Sequence, residues 1–228
     1  MTPPLLIGIG GAHSGAGKTT YAELLLGRLR GWGAVKYTKT ALYSSLVEDL
    51  DTLMTEDKDT RRMLDAGAER VIWVKSPPSE LGELLPQAVD KLSDLPGVVI
   101  EGNSAIEFLK PDIIIFIFGK DAEEIKESAV GTLRKADAVV GHTEAAPAGA
   151  RVFRKDSEGT ERFLSWISLM VEKKEEIRKV LREQAASGRL SCASARGLAS
   201  RLGVAPAEVG RAADALGIKI ADCELGCF

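Results

Sequence analysis

The sequence lacks the features that mark membrane-spanning and secreted proteins. Its longest strongly apolar run is Ile113–Phe118, far shorter than the roughly 20 residues that a transmembrane helix needs. The N-terminal residues do not combine a basic segment with a long apolar one, so we expect no secretory signal. The chain holds 3 cysteines, a small and odd number that does not make a disulfide framework. We therefore expect a cytoplasmic protein without a membrane segment.

A large excess of charge of either sign is also missing. The chain has 30 Lys and Arg residues against 33 Asp and Glu residues, a formal net charge of -3. Such a balance gives no general attraction to nucleic acids or to anionic membranes. Hydrophobic residues make up 45% and charged residues 28% of the 228 residues, which is typical of a globular protein with one domain or two.

The most informative segment is Ala12–Thr20, which reads Ala-His-Ser-Gly-Ala-Gly-Lys-Thr-Thr. The apolar run Leu5–Gly10 precedes it and is typical of a buried parallel strand, and helix-forming residues follow it. Strand, glycine-rich loop and helix form the context that a phosphate-binding loop (P-loop) requires. The first position of the motif holds Ala12 instead of glycine, which is tolerable because the two later glycines keep the freedom of the backbone.

The chemistry of this loop predicts nucleotide binding. Glycines let successive N–H groups converge on an anion, and the N-terminus of the following helix points at the same place. Lys18 is placed to contact the β- and γ-phosphates, and the hydroxyl of Thr19 to coordinate Mg²⁺. The predicted nucleotide-binding residues are Ser14, Gly15, Ala16, Gly17, Lys18, Thr19 and Thr20.

After the loop, strands alternate with helices, which predicts an α/β fold with a mostly parallel, doubly wound sheet. The predicted strands have continuous apolar residues, as in strands that are covered on both faces. In such sheets ligands bind at the carboxyl ends of the strands. Further strands are predicted at 34–37, 70–74, 98–100, 113–118 and 138–140, and helices at 18–30, 79–92 and 122–135.

Several polar residues at predicted strand ends, in the polar segment 49–61 and in the phosphate loop are candidates for the site. Glu101 follows a predicted strand and is expected to support Mg²⁺ and its waters, with simple capping as the alternative. Asp59 either holds Mg²⁺ through water or begins a solvated helix. His142 and Thr143 either read the nucleotide base or belong to an ordinary loop. His13 is expected to point outward from the phosphate loop.

Three parts of the sequence resemble the molybdopterin-guanine dinucleotide biosynthesis protein B family. These parts are Gly8–Thr20, then Lys58–Arg61 followed by Ala66–Ala68, and Val99–Gly102, within a resemblance that covers roughly residues 5 to 170. The resemblance implies a GTP-binding accessory protein that helps to convert molybdopterin into its guanine dinucleotide form. It also implies a homodimer that works beside a molybdopterin nucleotidyltransferase or a molybdoenzyme.

By matching position, the resemblance implies roles for four residues. Lys18 and Thr19 would hold phosphate and Mg²⁺. Asp59 and Glu101 would be the acidic partners near the metal, and together with Lys18 they would form the catalytic set.

The sequence departs from that family at two places. Lys36–Thr40 stands where the family tends to have a lysine followed by a histidine-containing loop. No Asn-Lys-x-Asp motif, which reads guanine, follows the predicted strand 138–140, where Gly141–Glu144 stands instead. Selectivity for GTP is therefore implied by the resemblance alone, and ATP stays an alternative.

The C-terminal part is predicted to be a small helical domain, 171–228, that follows a P-loop domain of residues 1–170. A loop-rich segment at 143–160 precedes helices at 161–170 and 172–184. The segment 195–209 resembles a helix-turn-helix with Gly203 at its turn. From residue 190 to 228 the basic and acidic residues balance, so a structural or partner-binding role is favoured over DNA binding.

All of the cysteines lie in this C-terminal domain, at Cys192, Cys223 and Cys227. Three thiolates in one small region could bind Zn²⁺ or an iron–sulfur cluster. The fourth ligand would come from Asp222, Glu224, an external ligand or a second subunit. The alternative is that the cysteines are reduced thiols that pack as small apolar side chains.

Together these observations predict a P-loop NTPase with weak, Mg²⁺-dependent GTPase activity. Its predicted role is that of an accessory factor in molybdenum or tungsten cofactor assembly. One alternative is a nucleotide-sensing regulator whose C-terminal module binds DNA or a partner protein. Another is an ATP-dependent small-molecule kinase or ligase, because the same fold supports such reactions.

Overall fold

The computed structural model describes residues 3–55, 57–119, 125–141, 144–185 and 187–222. In these ranges the strands are β1 (Leu5–Gly11), β2 (Gly33–Lys39), β3 (Ser45–Val47), β4 (Val71–Ser76), β5 (Gly97–Glu101), β6 (Ile113–Ile117), β7 (Ala138–Val140), β8 (Arg151–Phe153), β9 (Arg189–Ser191) and β10 (Lys219–Ala221). The helices are α1 (Lys18–Arg28), α2 (Leu50–Thr55), α3 (Lys58–Asp65), α4 (Leu81–Asp90), α5 (Asn103–Leu109), α6 (Glu127–Arg134), α7 (Ser157–Gln184), α8 (Cys192–Leu202) and α9 (Pro206–Ala215).

Eight of these strands form one sheet in the order β3-β4-β2-β5-β1-β6-β7-β8. Each neighbouring pair is parallel apart from β3 and β4, which run antiparallel. The order reverses at β1, because β5 lies on one side of it and β6 on the other. The predicted mostly parallel α/β sheet is therefore confirmed. The phosphate loop follows β1, at a point where sheets of this kind bind ligands.

The central strands are buried on both faces, which explains their continuous apolar sequences. Each residue of β5 and each residue of β6 is buried. One face of the sheet is covered by α4, α5 and α6, which lie side by side; α4 contributes Leu81 and Leu85, and α6 contributes Ala129 and Leu133. The other face is covered by α1, which contacts β1 and β5. These two layers hold the strand ends, and with them the phosphate loop, in a fixed position.

Two glycines in β1 let α5 lie directly on the central strand. A Cβ on Gly8 would lie 2.7 Å from Cγ1 of Ile106, and a Cβ on Gly10 would lie 2.5 Å from Oδ1 of Asn103. Side chains at either position would push α5 away from the sheet. The close approach also brings Asn103 to the beginning of the phosphate loop.

The two edge strands differ from the prediction. No strand was predicted within the loop-rich segment 143–160, where β8 lies, and β3 was not predicted either. Each of these strands has only three residues, and β8 has two exposed residues. Such short strands show no hydrophobic period, so their pairing depends on the edge of the sheet that they join.

The helices also differ from the prediction in two places. Helices were expected at 161–170 and 172–184, whereas α7 is continuous over 28 residues. Neither Gly nor Pro interrupts its interior after Thr160, and Asp156 caps its first turn by accepting a hydrogen bond from the N–H of Gly159 at 2.7 Å. The helix expected at 122–135 begins only at Glu127; residues 122–124 lie outside the described ranges.

The chain divides into two compact units, the first spanning Pro3–Trp166 and the second beginning at Ile167. Residue 170, where the sequence places a domain boundary, lies within α7. The second unit has a core of its own, to which Ile177, Leu190 and Leu198 contribute. It contains the expected helical region, with α8 ending at Gly203 in a left-handed conformation of φ 61. The parallel pair β9 and β10 in this unit was not predicted.

Across the described ranges, no helix has both the length and the apolar character that crossing a membrane would require.

Candidate functional site

The backbone of the phosphate loop has the conformation that its glycines predict. Gly15 has φ 80 and Gly17 has φ 101, values at which a side chain would strain the backbone. Among the described residues, the non-glycine residues with positive φ are Lys110 and Asp222. Ala12 is therefore in an ordinary conformation, which explains why alanine is acceptable at the first position of the motif. Its N–H donates to the carbonyl of Ile117 at 3.0 Å.

Lys18 begins α1 and reaches back across the loop. Its Nζ donates to the carbonyl oxygen of His13 at 3.2 Å. Burial lowers the pKa of Lys18, and the nearby carboxylate of Glu101 opposes part of this effect. The side chain thus brings a cation into a partly desolvated place, where an anionic ligand would bind more strongly than in water.

Thr19 and Glu101 bring two oxygen ligands together at the ends of α1 and β5. The hydroxyl of Thr19 donates to the carboxylate of Glu101 at 3.1 Å and 3.3 Å. Glu101 has only 6% of its surface exposed. Burial raises the pKa of Glu101, while Lys36 and Lys18 act to lower it. A hydroxyl and a carboxylate are the donors that Mg²⁺ prefers, so this pair fits the ion that the fold implies.

Asp59 belongs to an ion-pair cluster that the sequence did not predict. Lys36, which is 8% exposed, donates to both carboxylate oxygens of Asp57 at 2.8 Å and to Asp59 at 2.7 Å. Asp57 also caps α3 by accepting from the N–H groups of Asp59 and Thr60. The helix that carries Asp59 is therefore tied to β2, beside Glu101. The sequence feature that could have predicted this cluster is Asp57, a helix-capping aspartate directly before Lys58–Arg61.

The pKa of Lys36 is raised, because its hydrogen bonds with Asp57 and Asp59 outweigh burial, which acts to lower the pKa. Burial likewise acts to raise the pKa of Asp57, yet the hydrogen bond from Lys36 and those from the backbone lower it. Both groups are therefore held in their charged forms at neutral pH.

The candidate nucleotide cleft is the space between the phosphate loop, α3 and the end of β5, with a volume of about 270 Å³. The predicted residues Lys18, Asp59 and Glu101 meet in this cleft, and Arg62 lines it as well. The full lining is Ser14, Gly15, Gly17, Lys18, Thr19, Thr20, Asp59, Arg62 and Glu101. Ala16 is buried and belongs to the loop without lining the cleft.

Two further side chains support the loop, and neither was predicted from the sequence. Asn103 accepts from the N–H of Gly11 and donates to its carbonyl, both at 3.0 Å. Lys155 donates to the carbonyl of Ala16 at 2.8 Å. Asn103 follows the Glu101-Gly102 segment directly, so its position could have suggested a role. Lys155 lies 139 residues from its partner and has no comparable signal.

Among the histidines and cysteines selected from the sequence, the structure describes His13 and Cys192. His13 was expected to point outward; the residue is half-buried, its Nδ1 lies 2.7 Å from the carbonyl oxygen of Ser14, and its ring lies so close to Gly119 that a Cβ there would overlap it. His142 and Thr143 lie outside the described residues, as do Cys223 and Cys227. Cys192 is partly buried at the beginning of α8. Within the described ranges no group of three His, Cys, Asp or Glu residues is arranged to hold a metal ion.

Comparison with known proteins finds similarity to solved structures. No protein-family model matches the chain, and no curated protein matches it. Among solved structures it is similar to HypB from Helicobacter pylori, determined in complex with nickel, with a TM-score of 0.50 and 15% sequence identity. The match covers 75% of this chain and 88% of HypB. The fold is that of a P-loop NTPase. At this identity the likeness extends to the fold and not to the ligands.

Proposed function

We propose that this protein binds a nucleoside triphosphate together with Mg²⁺ and hydrolyses it slowly, with GTP preferred to ATP. Lys18 binds the phosphates, Thr19 and Glu101 hold the metal, and Asp59 holds the metal through a bound water. When bound, Mg²⁺ would neutralise part of the phosphate charge. The observation that carries this proposal is the meeting of Thr19 and Glu101, 82 residues apart in the chain, beside Lys18 in one cleft.

We further propose a role as an accessory factor in metal-cofactor assembly, with molybdopterin guanine dinucleotide as the cofactor. The resemblance to the molybdopterin-guanine dinucleotide biosynthesis protein B family supports it. Two of the resembling segments contribute Asp59 and Glu101 to the same cleft as Lys18, so the family likeness and the site involve the same residues. Nickel belongs to the structural neighbour and is not transferred to this chain.

The cysteines form the second part of this proposal. Cys192, Cys223 and Cys227 would bind Zn²⁺ or an iron–sulfur cluster. Support comes from the register of β9 and β10, whose last pair is Ser191 and Ala221. Cys192 follows one of these strands and Asp222 the other, and adjacent strands lie about 4.8 Å apart. Cys223 is the next residue in the chain after Asp222.

Nucleotide binding is tested by titrating the full chain with fluorescent GTP and ATP analogues, with and without Mg²⁺. We expect binding that needs Mg²⁺, and a Lys18→Ala variant that binds about 100-fold more weakly, because it loses charge-assisted hydrogen bonds to phosphate. Lys39→Ala is the matched control, since Lys39 is an exposed lysine at the end of β2. Full binding by the Lys18→Ala variant would overturn the assignment of the site.

The metal proposal is tested by elemental analysis of protein purified without oxygen, next to a variant in which all three cysteines are serine. Iron or zinc in near-stoichiometric amount in the parent, and none in the variant, is the expected result. A parent without metal would leave the cysteines as packing residues and remove this part of the proposal.

A further inference from the structure

Arg62 lines the nucleotide cleft, yet the function proposed above gives it no task. It lies on α3, three residues after Asp59, so that both side chains are on the same face of the helix. The ion pairs of Lys36 with Asp57 and Asp59 fix the first turn of α3. The buried hydroxyl of Thr60, which donates to the carbonyl of Leu53 at 2.7 Å, fixes it further.

The guanidinium group of Arg62 is held by two contacts on α1. Its Nε and Nη2 donate to the two carboxylate oxygens of Glu23 at 2.7 Å and 2.6 Å. Nη2 also donates to the hydroxyl of Thr20, the last residue of the phosphate-loop motif, at 3.2 Å. Bidentate pairing of this kind fixes the plane of a guanidinium group. Arg62 therefore stands beside the phosphate loop in a defined orientation before any ligand is present.

Within the described residues, Nη1 of this guanidinium makes an ion pair with Asp59, with 3.6 Å between Nη1 and Oδ1, and this distance is too long for a hydrogen bond. Nη1 carries two N–H donors. Because Glu23 occupies the other side of the fork, these donors can serve a ligand in the cleft without breaking the existing pair.

The charges of the cleft point to the same conclusion. Lys18 and Arg62 are the cations among its lining residues, and Asp59 and Glu101 are the anions. If the two carboxylates act on Mg²⁺, the phosphates themselves have Lys18 and the backbone N–H groups as partners. A triphosphate keeps negative charge after it binds Mg²⁺, and a fixed guanidinium at the mouth of the loop would neutralise more of it.

We propose that Arg62 is a catalytic arginine supplied by the chain itself, whose Nη1 binds the phosphate chain of the nucleotide in the cleft. This inference rests on the proposed nucleotide binding. In hydrolysis the oxygen of water bonds to the terminal phosphorus and the bond to the bridging oxygen breaks, with its electron pair left on the departing diphosphate. One proton of the water passes to a phosphate oxygen, and the other stays on the oxygen that has bonded to phosphorus. Arg62 stabilises the negative charge that the phosphate oxygens carry in this step.

The test compares four proteins: the parent, Arg62→Gln, Glu23→Gln and Arg61→Gln. Arg62→Gln and Glu23→Gln both break the ion pair between α3 and α1, but only the first removes the guanidinium. Arg61 is the next residue on α3, pairs with Asp65 and has 59% of its side chain exposed, so it controls for loss of an arginine from this helix. Circular dichroism melts show whether each variant is folded.

We expect Arg62→Gln to lower kcat for GTP or ATP hydrolysis by about 1,000-fold, the lower end of the range for arginines of this kind. Its affinity for a non-hydrolysable triphosphate analogue should also fall. The difference in affinity between this variant and the parent should become smaller as the salt concentration is raised. Glu23→Gln should lose much less, and Arg61→Gln nothing measurable. An Arg62→Lys variant should keep more affinity than Arg62→Gln, because it retains the charge.

Equal losses in Arg62→Gln and Glu23→Gln would mean that the arginine only joins two helices, and would overturn the inference. So would an Arg62→Gln variant with the affinity and kcat of the parent. A parent protein that binds no nucleotide would be a failure of the proposed function instead, and the parent titration detects it before any variant is made.

Discussion

The ion pair between Lys36 and Asp57 should be one of the main stabilising contacts of the first unit. Asp57 makes two separable contributions: it caps α3 and it neutralises a lysine that is only 8% exposed. Asp57→Ala removes both. Loss of the cap costs about 1 kcal/mol. Removing one partner of a buried pair costs about 3–5 kcal/mol, but Asp59 still contacts Lys36 at 2.7 Å, so we take about 2 kcal/mol.

Asp57→Ala is therefore expected to lower the free energy of unfolding by about 3 kcal/mol, as the sum of these two terms. Asp57→Asn keeps a good cap and loses only the charge, so it should lose about 2 kcal/mol. The matched control is Asp65→Ala at the other end of α3, where the carboxylate is 60% exposed and lies 3.6 Å from Arg61. Such a surface pair contributes less than about 1 kcal/mol.

The assay is urea unfolding followed by tryptophan fluorescence. All tryptophans, Trp32, Trp73 and Trp166, lie in the first unit, so the signal reports on that unit. The reasoning is refuted if Asp57→Ala is no more destabilising than Asp65→Ala. It is refuted in part if Asp57→Asn and Asp57→Ala are equal, because the cap would then contribute nothing.

The contribution of Asp57 to the free energy of unfolding should depend on pH. The pKa of Asp57 is lower in the folded protein than its ordinary value, so its stabilising effect is complete above the unfolded pKa and is lost as the pH falls through the folded pKa. The difference in unfolding free energy between the parent and Asp57→Asn should be constant from pH 7 to about 5. It should shrink below about pH 4. A difference that does not change over this range would contradict the ion pair as its source.

Two further predictions concern packing and the phosphate loop. Gly97→Ala places a Cβ 2.5 Å from the buried ring of Trp32 and should destabilise the first unit by about 3 kcal/mol. Its control, Gly27→Ala on the exposed side of α1, should stabilise the unit by up to about 1 kcal/mol. Urea unfolding measures both changes, and a Gly97→Ala variant as stable as the parent would contradict the close contact with Trp32. Asn103→Ala removes both hydrogen bonds to Gly11, so it should lower the free energy of unfolding by about 2 kcal/mol and weaken nucleotide binding. Unchanged nucleotide affinity would show that the loop keeps its shape without this contact.

The phosphate loop and the parallel sheet could be predicted because their signals are local. Ser14–Thr20 are consecutive residues, and the spacing of glycine, lysine and threonine identifies the loop within one short segment. The central strands β5 and β6 are continuous apolar runs, because the sheet covers them on both faces. Glu101 could be selected by its position at a strand end and by family resemblance, and Asp59 by family resemblance.

Other features had no local signal. The edge strands β3 and β8 are three residues long, so they exist only because a sheet edge is available to pair with them. The single helix α7 was divided in the prediction because its two halves differ in composition, whereas helix formation continues wherever nothing interrupts the backbone hydrogen bonds. Composition was a poor guide to where this helix begins.

The sequence by itself determined that a phosphate loop with Lys18 and Thr19 lies after a buried strand, because these residues are neighbours and their chemistry is local. Only the tertiary structure decided which distant groups join them. The order of the strands places Lys36 of β2 beside Glu101 of β5, and the packing of α3 brings Arg62 onto Glu23 of α1. Strand order and helix packing minimise the free energy of the whole fold, so the charges that surround the loop depend on the tertiary structure and not on the motif.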